Sequence, residues 1–174
     1  MGDASARVGG GGVDTKKVVG RRSLRFADLD ECLAEVARLR EAERAGRLRG
    51  LGNWTLGQTL GHLAAWIEYA YVGYPMKKPA WVLRVLGPLM VGWLLKNPWS
   101  AGVRLPGAGA GTYGQEAMTT EAGEARLRRA FERLRRERAT VPSPMFGLLP
   151  QEKLVLMHLR HAELHLGFWV PEEG

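Results

Sequence analysis

Apolar residues recur at i, i+3, i+4 and i+7 in four separate stretches, and nowhere does the chain sustain the strict alternation of a half-buried strand. The pattern predicts four amphipathic helices and an all-α fold. The first opens at "DLDE", where Asp28 can cap and Glu31 stands three residues on as its capping-box partner; it runs toward Gly46 with Leu29, Leu33 and Val36 inward. The second begins at "TLGQ", with Thr55 and Gln58 in the same relation, and continues to about Gly73. The third, from about Thr120 to Arg138, buries Leu127, Ala130, Phe131 and Leu134. The fourth follows "SPMFGLLP", where Pro150 suits a first helical turn, and ends near Gly167. Four such helices in one domain imply a bundle.

Roughly 45 residues, Tyr74 to Met118, separate the second and third helices, far more than an ordinary bundle connection. This crossover holds an apolar helical piece, "WVLRVLGPLMVGWLL", and then "LPGAGAGTYG", whose glycines oppose regular structure. The apolar piece is too short to span a bilayer, contains Arg84 and is interrupted by Gly87-Pro88, so it is expected to be buried or partly interfacial. The glycines match no phosphate-binding loop, since GxxxxGK[ST] and a preceding strand are both missing. The crossover is expected to cover one end of the bundle.

At 174 residues the chain has the length for one sizeable core. The expected organisation is a flexible, glycine-rich tail over residues 1–20 and a single domain over 21–170. A lone cysteine, Cys32, excludes an internal disulfide and a multi-cysteine metal site, and fits a reducing cytoplasm. It stands beside the apolar face of the first helix with no histidine or basic residue a turn away, which is the setting of a structural thiol. The net charge of +7 gathers in two places. From Tyr69 to Gln115 there are five basic residues, Lys77, Lys78, Arg84, Lys96 and Arg104, and no acidic one. The third helix adds arginines, but glutamates are interleaved with them, and no helix-turn-helix, zinc-finger or RNA-binding signature accompanies them. Specific nucleic-acid binding is therefore not expected; attraction of a small anionic ligand is.

The candidate chemistry lies in "LVLMHLRHAELHLGFWV", which holds three of the four histidines. At about 100° per residue, His158, His161 and His165 fall within roughly 60° of one another on the fourth helix. Leu154, Met157 and Phe168 share or flank that face, whereas Lys153, Arg160 and Glu163 point elsewhere, so the imidazoles look into the bundle. His62, in the second helix, should also face inward, at a polar margin formed with Gln58, Trp66 and Tyr69. A histidine on an apolar helical face is more often a hydrogen-bonded core residue than a ligand. Yet two imidazoles at i and i+4, with a third from a facing helix, have the spacing to converge on one ion. Two sharper motifs fail. "HAELH" is not H-E-x-x-H, and Glu163 projects about 160° from the histidine face; one cysteine cannot supply the P-C-x-x-C of a nucleobase deaminase.

"RRSLRFADLDECLAEV", "GNWTLGQTLGHLAAWIEYAYVGYP" and "SPMFGLLPQEKLVLMHLRHAELHLGFW" together resemble a family of unknown function within the DinB-like, YfiT-type superfamily. The resemblance runs from about Arg21 to Trp169. It implies an up-down-down-up four-helix bundle, often dimeric, whose topology requires the long crossover. It also implies a divalent metal, zinc or nickel foremost, on His62, His161 and His165, with His158, Gln58, Trp66 and Tyr69 around it. His158 remains open as a substitute ligand. Related sequences often carry a doubled histidine at the end of the motif; here Leu164 takes the first of those places.

Two functions are compatible with these residues. One is a metal-dependent enzyme, a hydrolase or a transferase of low-molecular-weight thiols, whose substrate is a small molecule and whose basic crossover receives an acidic thiol. The other is a non-catalytic binding or stress-associated module in which the histidines are vestigial or hold a structural ion.

Overall fold

The computed structural model describes residues 12–75, 81–102 and 113–172; for positions 81–85 and 88 it describes the backbone alone. Lys77, Lys78, Arg104, most of "LPGAGAGTYG" and the first eleven residues of the expected tail lie outside the described residues.

Helix α1 spans Leu29–Arg44 and starts where the Asp28 carboxylate accepts from the Asp30 and Glu31 N–H groups, both at 2.9 Å. Glu31 completes no box with Asp28: its carboxylate turns one residue further back and takes the Ala27 N–H at 2.7 Å. Val36, Leu39 and Cys32 are fully buried, whereas Leu33, expected inward, is only half-buried. Helix α2 spans Leu56–Val72 behind the expected reciprocal box, Thr55 and Gln58 each accepting the other's backbone N–H. Helix α3, Trp81–Lys96, runs straight through Gly87-Pro88, so the expected interruption does not occur. Helix α4 spans Thr120–Arg136 with Thr119 as its cap, and α5 spans Gln151–Leu166 after Pro150.

Two three-residue strands, β1 at Leu48–Gly50 and β2 at Trp169–Pro171, pair antiparallel and tie the end of α1 to the end of α5. They escaped the sequence pattern because three residues are too few to show a period of two. At the other terminus, Val13 and Asn53 exchange two hydrogen bonds, at 2.7 and 2.9 Å.

Contacts along the helices fix their directions. Gly57 meets Gly123, Glu68 grips Arg126 and Tyr71 lies under Arg133, so α2 and α4 run parallel. Asp30 pairs with Arg135 and Arg40 with Glu124, so α1 opposes α4. Thr59 receives the Trp169 indole N–H and Trp66 faces His161, so α2 opposes α5. These four helices, with α1 and α5 codirectional, are the up-down-down-up bundle. Its centre is filled by Leu60, Ile67, Leu127, Phe131, Leu134 and Leu159, each buried to within 1 % of its surface.

On the back of α5 lies a buried ion pair. Arg160 and Glu163 are 3 and 7 % exposed and bond to each other, so of the three residues expected to point elsewhere these two leave the histidine face without reaching water, while Lys153 is exposed. Glu163 also accepts the Phe26 N–H at 2.7 Å, and Arg160 donates to the Phe26 carbonyl at 3.1 Å. The segment before α1 is thereby clamped to α5. Cys32 lies nearby, buried, its thiol pushed up by burial and by Glu163 and Glu35, which is the setting of an unreactive thiol.

The parallel contact of α2 and α4 depends on glycine. A Cβ on Gly123 would stand 2.6 Å from the Gly57 carbonyl oxygen, and one on Gly57 2.2 Å from that of Met118. Alanine normally gains about 1 kcal/mol over glycine inside a helix. At Gly123 the obstacle is backbone of a packed neighbour, and overpacking of that kind costs about 1–3 kcal/mol. The Gly123→Ala protein should therefore melt below wild type in thermal denaturation, against the helix-propensity trend.

Candidate metal centre

Because α2 and α5 lie antiparallel side by side, the one histidine of α2 comes to face two on α5. His62 Nε2 is 3.1 Å from His161 Nε2, and His62, His161 and His165 each have a ring nitrogen within 4.8 Å of the others. The three ring centroids are 4.6 to 4.9 Å apart. His161 and His165 owe their mutual distance to one helical turn; His62 owes its place to packing between helices.

The crossover returns against α2 and fixes the His62 ring. The Tyr113 carbonyl accepts the Nδ1–H of His62 at 2.7 Å, which leaves the Nε2 lone pair turned toward the other two imidazoles. The 3.1 Å contact then has His161 as donor. Gly114, with φ +77, makes the turn possible: its α-carbon lies so near α2 that a Cβ would come within 2.6 Å of Ala65 Cβ and 3.5 Å of His62 Cα.

All four imidazoles are held neutral. Burial pushes His62 down to about 4, against the smaller opposing pull of the Tyr113 carbonyl and Glu116. Burial also takes His158 to about 4. His161 and His165 lie well below the ordinary range, first through burial and then through neighbours, His165 and His62 acting on His161, and His62 and Arg21 on His165. Neutral imidazole is the form that binds metal.

Around the cluster stands an aromatic wall. Trp54 stacks on His165 at 5.3 Å and tilts over His62 at 4.9 Å. Trp66 sets its edge to His62 and His161, and Trp99, from the segment after α3, approaches His161 at 6.0 Å. Tyr69 stands behind Trp66, at 5.9 Å. Gln58 is committed to the start of α2 and donates to the Gln115 carbonyl at 3.2 Å, so it bears on the histidines only through the strand of chain that carries Tyr113. His158 is buried one turn from His161 and outside the close cluster, and its Nε2 has no hydrogen-bond partner among the described residues.

Tyr113, Trp99 and Arg21 were not legible as site residues. Tyr113 acts through its main chain, Trp99 reaches the site only because α3 packs on α5, and Arg21 lies far from α5 in sequence while its guanidinium covers Phe168.

The donor set suits a divalent ion of borderline softness: three neutral imidazoles, one already oriented by a carbonyl on its far nitrogen. No carboxylate among the described residues joins them, since Glu163 is held by Arg160 on the other side of α5. Fold and site together define a helical bundle with a three-histidine cluster able to hold a metal. The chain belongs to DUF1569, a family of unknown function, whose profile it matches over residues 18–172. No curated protein and no solved structure matches it.

The depressed histidines make an acid-sensitive fold. Their ordinary value is near 6.5, so between pH 6.5 and about 4 the unfolded chain takes up protons that the folded one refuses. Stability is full above pH 6.5 and is lost as the pH falls toward 4. The metal-free protein should show this fall in its melting temperature, and His158→Leu should flatten part of it, by up to about 3 kcal/mol. An unchanged slope would mean that His158 is not held neutral.

Proposed function

We propose that the chain is a DinB-like, YfiT-type protein in which His62, His161 and His165 hold a divalent ion, zinc or nickel foremost. It then acts as a small-molecule enzyme, a hydrolase or a transferase of a low-molecular-weight thiol. The observation that carries this reading is the orientation of His62, whose outer nitrogen is hydrogen-bonded to Tyr113 while its inner nitrogen faces two further imidazoles. When bound, such an ion supplies Lewis acidity and lowers the pKa of a water or thiol presented to it.

The chain's own residues prepare that chemistry. The Tyr113 carbonyl sets which nitrogen of His62 is free. Trp54, Trp66 and Trp99 pack against the imidazoles and shield them in part from water. Three neutral ligands contribute no negative charge, so a site built on them favours an anionic partner such as a thiolate.

A second reading, a non-catalytic binding or stress-associated module, is favoured by the same tryptophans, which pack onto the ligand rings, and by the lack of a carboxylate base in the cluster among the described residues.

Metal content after identical loading and dialysis tests the ligand assignment. Loss of an outer partner alone costs metal sites about 10–100-fold in affinity, so His62→Ala, which removes a ligand, should retain little or no ion. His158→Leu should retain it as wild type does. Equal loss in both would overturn the assignment. Screening the metal-loaded protein with electrophiles and small thiols, beside His62→Ala as control, then separates enzyme from module.

A further inference from the structure

On α3 the exposed side is the apolar one. Leu86, Leu89, Met90 and Trp93 are 47, 78, 49 and 61 % exposed. They stand at i, i+3, i+4 and i+7, which makes them one stripe along the helix. The opposite side holds buried Gly87 and Val91, packed toward the Met145 carbonyl and α5. A surface helix ordinarily turns polar residues to water; this one turns leucine, methionine and tryptophan.

The charge on α3 has one sign. The helix contains Arg84 and Lys96 and no acidic residue, and the sequence around it, Tyr69 to Gln115, holds five basic residues and no acidic one. Lys96 is exposed in its last turn. There too, half-exposed Arg25 donates to the Leu95 carbonyl at 3.1 Å while leaning on Glu163 at 3.7 Å. At about 24 Å, α3 is too short to cross a membrane, and no helix among the described residues is long and apolar enough to do so. α3 is apolar on nearly all sides, and the stripe it leaves exposed sets leucine, methionine and a tryptophan beside charges that are only cationic, a combination suited to the boundary between anionic headgroups and acyl chains.

We propose that α3 docks the protein onto an anionic lipid surface. The Leu86–Trp93 stripe enters the boundary between headgroups and acyl chains, and Lys96 meets anionic headgroups. The competing occupant is a second copy of the chain, which would cover the same stripe but bring two purely cationic helices together. A bilayer rich in anionic lipid satisfies both the stripe and the charge. This docking is independent of what the histidines do.

Co-sedimentation with large unilamellar vesicles tests it, using phosphatidylcholine alone and an equimolar mixture with phosphatidylglycerol, at low and high salt. Wild type should bind the mixed vesicles, bind phosphatidylcholine more weakly, and release partly as salt rises. The Leu89→Ser/Trp93→Ser protein, altered only at exposed positions, should bind about tenfold less or weaker still. Lys96→Glu should lose about tenfold on mixed vesicles and little on phosphatidylcholine. Circular dichroism and melting temperature check that both stay folded, with Leu89→Ser alone in reserve. No binding by wild type, equal binding by the double variant, or equal binding to both vesicle types overturns the proposal. So does a wild-type dimer by light scattering that the double variant breaks while neither protein binds vesicles.

Discussion

Two helices that pack side by side in the same direction oblige the chain to travel back the whole length of the bundle between them. α2 and α4 are in that relation, and α2 alone is about 25 Å long. Most of what distinguishes this protein follows from the return path. It carries α3 onto α5, delivers Trp99 to His161, and brings the Tyr113 carbonyl to His62. The contact that makes the arrangement tight is glycine against backbone at Gly57 and Gly123, where no side chain could be accommodated. Packing between two helices and chemistry at a third are thus set by one topological choice.

α5 answers to two demands at once. One face carries imidazoles held neutral by burial, and the other carries a buried guanidinium and carboxylate bonded to each other. The ion pair stabilises little by itself, because the cost of removing both charges from water offsets their attraction. What it supplies is orientation. With Arg160 and Glu163 both bonded to the backbone of Phe26, α5 is held in one rotation about its axis. That rotation aims His161 and His165 at α2.

The four bundle helices were legible because each has a repeat of several turns, and three of them a chemical start signal; the box of Thr55 and Gln58 formed as spelled, and Asp28 capped α1. The burial of His62 opposite the α5 histidines was legible from periodicity on two separate helices. What escaped was tertiary or main-chain in origin. Gly87-Pro88 reads as a break, yet the helix passes through it, with Gly87 pressed on the Met145 carbonyl. Arg160 and Glu163 look like solvent residues until Phe26, more than 130 positions away, is seen to bond both. Tyr113 could not be singled out by side-chain type, because its carbonyl is what His62 requires.

That last point bears on how such a chain tolerates change. Every amino acid supplies a carbonyl, so the identity of the residue at 113 is free as far as the His62 tautomer is concerned. Spacing is not free. Gly114 turns the chain, Gln115 is held by Gln58, and Met118 and Thr119 lie against Gly57, so the stretch from 113 to 119 is measured against α2 like a ruler. An insertion or deletion of one residue there would slide the acceptor away from His62 while leaving all four histidines in place. Drift at this site is therefore expected in letters rather than in length, and a count of residues from 113 to 119 reports on it better than their names do.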